Sequence, residues 1–151
     1  LINLIKIVEG DLLKATEDII GHQVNCRGVM GSGVAAQIKR RYPAAFYQYS
    51  AMCEFLGSTA LGVCQVVEVS KVKYVANLFG QNEYGRGIQH TDYDALHLAL
   101  ESLYKRAKRD GLSVALPYKL GSDRGGGDWD VVYKIIDKVF KNYEVTLYKL
   151  G

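Results

Sequence analysis

The chain has 151 residues, 48% hydrophobic and 23% charged, with a net charge of +3. That is enough for one domain with a core of its own and leaves no long disordered stretch. It excludes a membrane span, since no apolar run approaches about 18 residues, and the weak basic balance suits an anionic small ligand without by itself implying a nucleic-acid surface. Cys26, Cys53 and Cys64 are odd in number and lack CxxC spacing. No disulfide framework and no metal site are expected, and a reducing compartment is the default. Leu1 to Lys6 carries no signal-peptide pattern, so a cytoplasmic location is expected.

Leu1–Val8 is short and rich in Leu, Ile and Val and reads as a strand closed by Gly10-Asp11. Asp18–Asn25 reads as a second, buried strand. Residues 32–41 place Val34, Ile38 and Arg41 on helical spacing and stop before Pro43. Ala44–Leu56 reads as another helix, ending near Gly57. Leu61–Val69 and Lys73–Phe79 are apolar, β-branched strands. Thr91–Arg109 is the clearest helix, with Leu96, Leu100 and Leu103 on one face. Thr91 and Asp94 suggest a capping-box variant at its start, and Gly111 supplies the stop. Ser113–Leu116 is a short strand, Asp128–Phe140 a helix, and Glu144–Tyr148 a closing strand. Alternating strands and helices predict an α/β fold with a mostly parallel sheet covered on both faces. No linker or repeat interrupts 1–151, which reads as a single domain. Such sheets bind ligands beyond the carboxyl ends of their strands.

Two of the loops in that position are rich in glycine. The first, Asn25 to Ala35, holds Gly28, Gly31 and Gly33 just before a helix. Glycine lets a ligand approach the backbone, and a helix start offers free N–H groups and partial positive charge to a phosphate. A plain strand-to-helix connection reads about as well from this loop alone. Val34-Ala35 stands where a P-loop needs Lys-Ser/Thr, and the spacing GxxGxG reverses the dinucleotide fingerprint. The second loop, Leu120 to Trp129, has four glycines in seven residues, Gly121 and Gly125 to Gly127. It reads as an anion nest or as a loose connector. Two such loops at one edge of a sheet could grip both sides of a diphosphate. Charge-assisted hydrogen bonds contribute about 1.5–3 kcal/mol each, so three or four reach micromolar affinity, about −8 kcal/mol.

The sequence motifs Gly10-Asp11-Leu12-Leu13, His22-Gln23-Val24-Asn25-Cys26, Gly28 to Ala35, and Gly121 with Gly125 to Trp129 resemble the macrodomain family over nearly the whole chain. The resemblance is strongest to the branch of ADP-ribose-1″-phosphate phosphatases and terminal ADP-ribose hydrolases. It implies a three-layer α/β/α macrodomain with a mixed, mostly parallel sheet, binding ADP-ribose or ADP-ribose-1″-phosphate without a cofactor. Asp11, beside Leu12, matches the aspartate that accepts from the adenine amino group, although a turn cap reads nearly as well. Asn25 matches the asparagine facing the distal ribose, or else caps its loop. Gly31, Ser32, Gly33 and Val34 match the loop near the diphosphate and distal ribose. Gly121, Ser122, Asp123, Arg124, Gly125 and Gly126 match the second phosphate loop. Tyr148 stands beside the adenine or packs as a plain aromatic. The terminal hydrolases use a lysine and an aspartate, and here those positions fall on Gln81 and Gly125. Glutamine is no nucleophile, so the resemblance does not extend to a covalent lysine route.

His22, Asn25 and Asp123 remain as candidate catalytic groups. His22 suits general acid–base work near neutral pH or a buried structural role. Asp123 orients a water or is simply solvated. Arg27 and Arg124 flank the loops, and His90 and His97 belong to the long helix and its cap. Two function classes stay open. One is a hydrolase acting on ADP-ribose-1″-phosphate or ADP-ribosyl conjugates. The other is a non-catalytic reader of free or protein-linked ADP-ribose, with ADP-ribosylated macromolecules as partners. A monomer is expected.

Overall fold

A computed structural model describes residues 4–150. The strands are β1 (Ile5–Glu9), β2 (Ile19–Val24), β3 (Cys64–Ser70), β4 (Lys73–Phe79), β5 (Val114–Pro117) and β6 (Val145–Lys149). The helices are α1 (Gly33–Arg41), α2 (Pro43–Leu56), α3 (Tyr93–Asp110) and α4 (Trp129–Val139). Every element expected from the sequence is present, with ends shifted by no more than four residues and β4 matched at both ends. The expected start of β1 at Leu1–Asn3 lies outside the described residues. Pro43 opens α2 at its first turn, where its missing N–H is no loss. The expected cap at Thr91 is corrected. Asp92 caps α3 by accepting from the Ala95 N–H at 3.0 Å, while the Thr91 hydroxyl turns into the sheet's ligand-facing edge.

The six strands run in the order β1-β6-β5-β2-β4-β3, all parallel except β3, which pairs antiparallel with β4 at one edge. Both faces are covered, so β2 reads as a nearly unbroken buried run rather than an alternating one. Alternate residues serve opposite layers. Ile19, Ala76, Val114 and Leu116 pack with Leu96, Leu100 and Leu103 of α3 and Val132 and Ile136 of α4. Ile20, Val75 and Ala115 pack with Ile38 of α1 and with Tyr42 and Ala45. Val24 and Phe79 carry that second layer on to Tyr49 and Cys53 of α2 and to Met30. Truncating a fully buried leucine such as Leu100 to alanine costs about 2–5 kcal/mol.

After β4 the chain crosses through α3 to β5, on the other side of β2. The carboxyl ends of β2, β4 and β5 therefore face one edge at the point where the strand order reverses, and the loops that leave them diverge around a crevice.

Candidate functional site

That crevice is a cavity of about 440 Å³. Its walls come from the end of β2, the first glycine loop, the loop after β4, and the second glycine loop.

The first loop is built around Asn25. Its side-chain oxygen accepts from the Arg27 N–H at 2.9 Å and from the Tyr49 hydroxyl at 2.7 Å, and its Nδ2 donates to the Val29 carbonyl at 2.8 Å. Asn25 is thus the loop's internal brace, with one amide hydrogen left for the cavity it lines. Met30 anchors the loop by sinking into the core, 2% exposed. Cys26 and Cys53 lie beneath it. Burial pushes the Cys26 thiol up to about 11 and also raises Cys53, so both are neutral thiols rather than nucleophilic thiolates. At the loop's end α1 begins without a side-chain cap, since Ser32 makes no capping hydrogen bond. The first-turn N–H groups are left unmatched and Gly31, Ser32, Val34 and Ala35 line the cavity. Gly33 holds φ +59°, a left-handed conformation that suits glycine.

The second loop is ordered by close packing, which settles the alternative of a loose connector. Gly125 shows why no side chain fits: a Cβ there would lie 2.3 Å from Thr91 Oγ1 and 2.8 Å from the Gly121 oxygen. The Gly125 carbonyl accepts from the His90 and Thr91 N–H groups at 2.8 and 3.0 Å. Thr91 Oγ1 donates to the Gly121 carbonyl at 2.6 Å and accepts from Gln23 Nε2 at 2.9 Å. The N–H groups of Gly121, Asp123, Arg124 and Gly125 meet no acceptor among the described residues. The loop opens at Lys119, a non-glycine residue at φ +64°, a conformation that costs about 1–2 kcal/mol and is often found at working sites. The two loops touch where a Cβ on Gly33 would come within 3.5 Å of Arg124 Cγ.

His22 lies at the cavity floor and is 1% exposed. Its Nε2 is 2.7 Å from Asn77 Oδ1. The Asn77 amide nitrogen donates to Ala45 O and Gln65 Oε1, so its oxygen faces the imidazole and Nε2 carries the proton. Nδ1 is then a lone pair, and it has no partner among the described residues. Burial lowers the His22 pKa to about 4, against a smaller opposing effect of the Asn77 hydrogen bond. The ring is neutral at pH 7 and Nδ1 is closed off from the cavity, which speaks against the expected general-acid role.

Gln81, 8% exposed, is held by two hydrogen bonds. Its Oε1 accepts from Gln23 Nε2 and its Nε2 donates to the Glu83 carbonyl, both at 2.7 Å. Arg27 pairs with the Glu83 carboxylate and is taken out of the ligand's path.

Of the other expected site residues, Asp123, Arg124, Gly121 and Gly125 line the cavity, Gly126 lines an adjoining groove, and the Ser122 hydroxyl turns back to the Leu120 carbonyl. Asp11, Leu12 and Tyr148 lie outside the cavity wall. Asp11 Oδ1 caps a short 3-10 turn through the Leu13 N–H at 2.9 Å. Leu12 is buried. The Tyr148 hydroxyl donates to the Glu17 carboxylate at 2.6 Å. Leu12 and Tyr148 share a packed cluster with Val34, which does line the cavity.

Sequence reasoning missed the loop after β4, whose Tyr84, Gly85 and Arg86 form a wall, and Tyr118 and Lys119 after β5. The one legible signal was the Gly85-Arg86-Gly87 run. Among the lining residues, Arg86, Lys119 and Arg124 face a single acid, Asp123. The field is that of an anion site.

A mostly parallel sheet of this order, with two glycine loops clamped over an electropositive crevice, defines a macrodomain. The family model described as Macro domain matches residues 22–136, and the chain belongs to that family. Among curated relatives, the DNA ADP-ribosyl glycohydrolase of Mycobacterium tuberculosis is 34% identical over 136 residues, covering 87% of this chain and 37% of that protein. This chain thus spans little more than a third of that relative's length. The ADP-ribose 1″-phosphate phosphatase of Meyerozyma guilliermondii is 28% identical, covering 93% of this chain and 94% of the relative. Among solved structures, the macrodomain of Mycobacterium tuberculosis DarG superposes with a TM-score of 0.85 at 29% identity, over 99% of each chain.

Proposed function

We propose that residues 1–151 act as one macrodomain that binds ADP-ribose or ADP-ribose-1″-phosphate in this cavity and hydrolyses the phosphate ester or an ADP-ribosyl conjugate. The observation that carries the reading is the pair of loops whose unmatched N–H groups and three cations surround the crevice. A volume of about 440 Å³ lies in the range of small-molecule sites. The names of the two relatives support the same ligand class.

In this reading the diphosphate lies between the α1 start and the Gly121–Gly125 segment. Asp11, with Oδ2 still free, and Tyr148 serve the adenine, reached past Val34. The distal ribose meets the spare Asn25 amide hydrogen. Asp123, exposed and the one acid in the wall, takes a proton from the attacking water. ADP-ribose-1″-phosphate and water then yield ADP-ribose and phosphate. Gln81 supports this water route, because a tethered amide forms no covalent intermediate. General-base assistance of this kind is worth about 10²–10⁴-fold, so slow turnover is expected.

The sparse set of ionisable groups favours a second reading, a non-catalytic reader of ADP-ribose. The protein is proposed to work as a monomer in the cytoplasm, a reading supported by its three free cysteines. Among the described residues no helix is long and apolar enough to cross a membrane.

The test is calorimetry with ADP-ribose, together with turnover of ADP-ribose-1″-phosphate and of ADP-ribosylated protein and DNA side by side. Binding with phosphate release that Asp123→Ala lowers more than it lowers affinity supports the hydrolase. Binding without turnover of any substrate establishes the reader. No binding at millimolar ADP-ribose, or full binding by Gly33→Glu, removes the site assignment.

A further inference from the structure

The ligand-facing edge of the sheet has a direction. The strand order β1-β6-β5-β2-β4 places Asp11 and Tyr148, which serve the adenine in the reading above, at one end and the loop after β4 at the other. That loop is fastened on both sides. The Cys26 N–H donates to Asn82 O at 3.1 Å, Gln81 Nε2 donates to Glu83 O at 2.7 Å, and Arg27 pairs with the Glu83 carboxylate. At the other end the His90 and Thr91 N–H groups hold Gly125 O, and Gln89 Nε2 donates to Thr91 O at 2.9 Å. Between those anchors nothing of the kind holds the chain. Tyr84, Gly85, Arg86, Gly87 and Ile88 are exposed and make no hydrogen bond, ion pair or ring contact among the described residues.

The segment also has hinges and room to move. Gly85 and Gly87 hold φ +136° and +89°, and a Cβ on Gly87 would meet nothing within 4 Å. An open groove of about 610 Å³ separates residues 85–89 from Asp123, Arg124 and Gly126 of the second glycine loop. It is continuous with the main cavity, since Gly85, Arg86, Asp123 and Arg124 line both spaces. The two walls touch at one end, where a Cβ on Gly126 would lie 3.0 Å from Ile88 O. Tyr84 on the cavity side and Ile88 on the groove side, 54% and 66% accessible, are apolar surface that closing of the groove would bury. An exposed stretch with no bonds of its own, tethered at both ends and hinged on glycine, has the build of a segment that moves as a unit.

We propose that Arg86 is a further ligand-binding residue carried on a lid, residues 84–88, which swings into this groove when the cavity fills and sets the guanidinium on the phosphate next to the distal ribose. The inference rests on the assignment of the main cavity to ADP-ribose. Arg86 has no carboxylate partner in the open arrangement, so it is hydrated there, and its charge-assisted contact with a phosphate is gained only on closing. That difference between the two states is what lets a ligand shift one to the other. Because β4 lies furthest from β1 among the parallel strands, the lid reads the distal half of the ligand. AMP, which ends before that half, leaves it open.

The experiment follows backbone amide exchange in the free chain, with saturating AMP and with saturating ADP-ribose. The Gly87 and Ile88 amides decide it, because those residues line the groove and not the cavity, so a ligand that merely fills the cavity does not cover them. They are expected to exchange freely in the free chain and with AMP, and about tenfold or more slowly with ADP-ribose. Calorimetry of Arg86→Ala, which removes an exposed side chain without partners and so spares the fold, is expected to show ADP-ribose bound about tenfold more weakly and AMP unchanged. In that variant the slowing at Gly87 and Ile88 is lost. ADP-ribose bound while Gly87 and Ile88 exchange as in the free chain overturns the lid. Wild-type affinity in Arg86→Ala, or an equal loss for AMP and ADP-ribose, overturns the contact of Arg86 with the distal phosphate. Failure of the wild-type chain to bind ADP-ribose at all removes the cavity assignment and the lid with it, an outcome distinct from the other two.

Discussion

At the scale of single residues, His22 has the strongest consequence for behaviour in solution. Its imidazole is sealed beneath the ligand cavity, and burial holds its pKa near 4, below the ordinary value of 6.5. The unfolded chain therefore binds a proton that the folded chain refuses between those two values. Stability is at its full value above about pH 6.5, falls as pH drops towards 4, and is reduced by about 3 kcal/mol below that. Thermal melts from pH 7 to pH 4 should show this loss in the wild type and a smaller one in His22→Gln. An equal loss in both proteins would mean that His22 titrates normally. Ligand affinity should show no step near pH 6.5, because the buried ring stays neutral through that range. Asn25 was legible as a polar residue at a strand end, but the motif could not show that its amide braces the loop as well as facing the cavity.

Among the elements, the second glycine loop is informative because its flexibility is spent on contact. Gly125 lies against Thr91 and Gly121 with no room for a methyl group. Gly125→Ala should push the loop off Thr91, lowering stability by about 1–3 kcal/mol and misaligning the N–H donors. Thr91→Val should have a related effect without overpacking: the Gly121 carbonyl and the Gln23 amide lose a buried partner, at about 1–3 kcal/mol. Chemical denaturation and ADP-ribose calorimetry check both. A Gly125→Ala protein with unchanged stability and affinity would show that the loop is as loose as its composition alone allows. The helices were easier to read than the loops. Leu96, Leu100 and Leu103 announce α3 by their spacing, and all are fully buried. Its cap falls on Asp92 and not on Thr91, although both are good caps in isolation. Only the neighbouring loop shows that Thr91 is needed elsewhere.

For the whole molecule, ligand binding and folding are linked. The cavity is assembled from segments around residues 22–35, 81–86 and 117–125, so a ligand that spans them binds the folded chain and not the unfolded one. At a hundredfold excess over Kd, ADP-ribose should stabilise the protein by about 2.7 kcal/mol, or roughly 5–10 °C in Tm for a chain of this size. AMP should give less, since it does not reach the distal-ribose loops. A Tm indifferent to ADP-ribose would mean that the segments do not clamp one ligand.

The order and type of the elements, the coverage of both sheet faces and the place of the two glycine loops were written in the sequence, because hydrophobic period, turn residues and strand–helix alternation are local signals. Tertiary structure decided what depends on neighbours far apart in the chain. Folding sets the antiparallel edge of β3 and brings Asn77 against His22 across 55 residues. It ties Gln81 to Gln23 across 58 and raises Arg86 and Lys119, unremarkable in composition, to the rim of the cavity. Protonation state, donor availability and cavity charge follow from those juxtapositions, because burial and proximity set them and neither is a property of a residue's place in the chain.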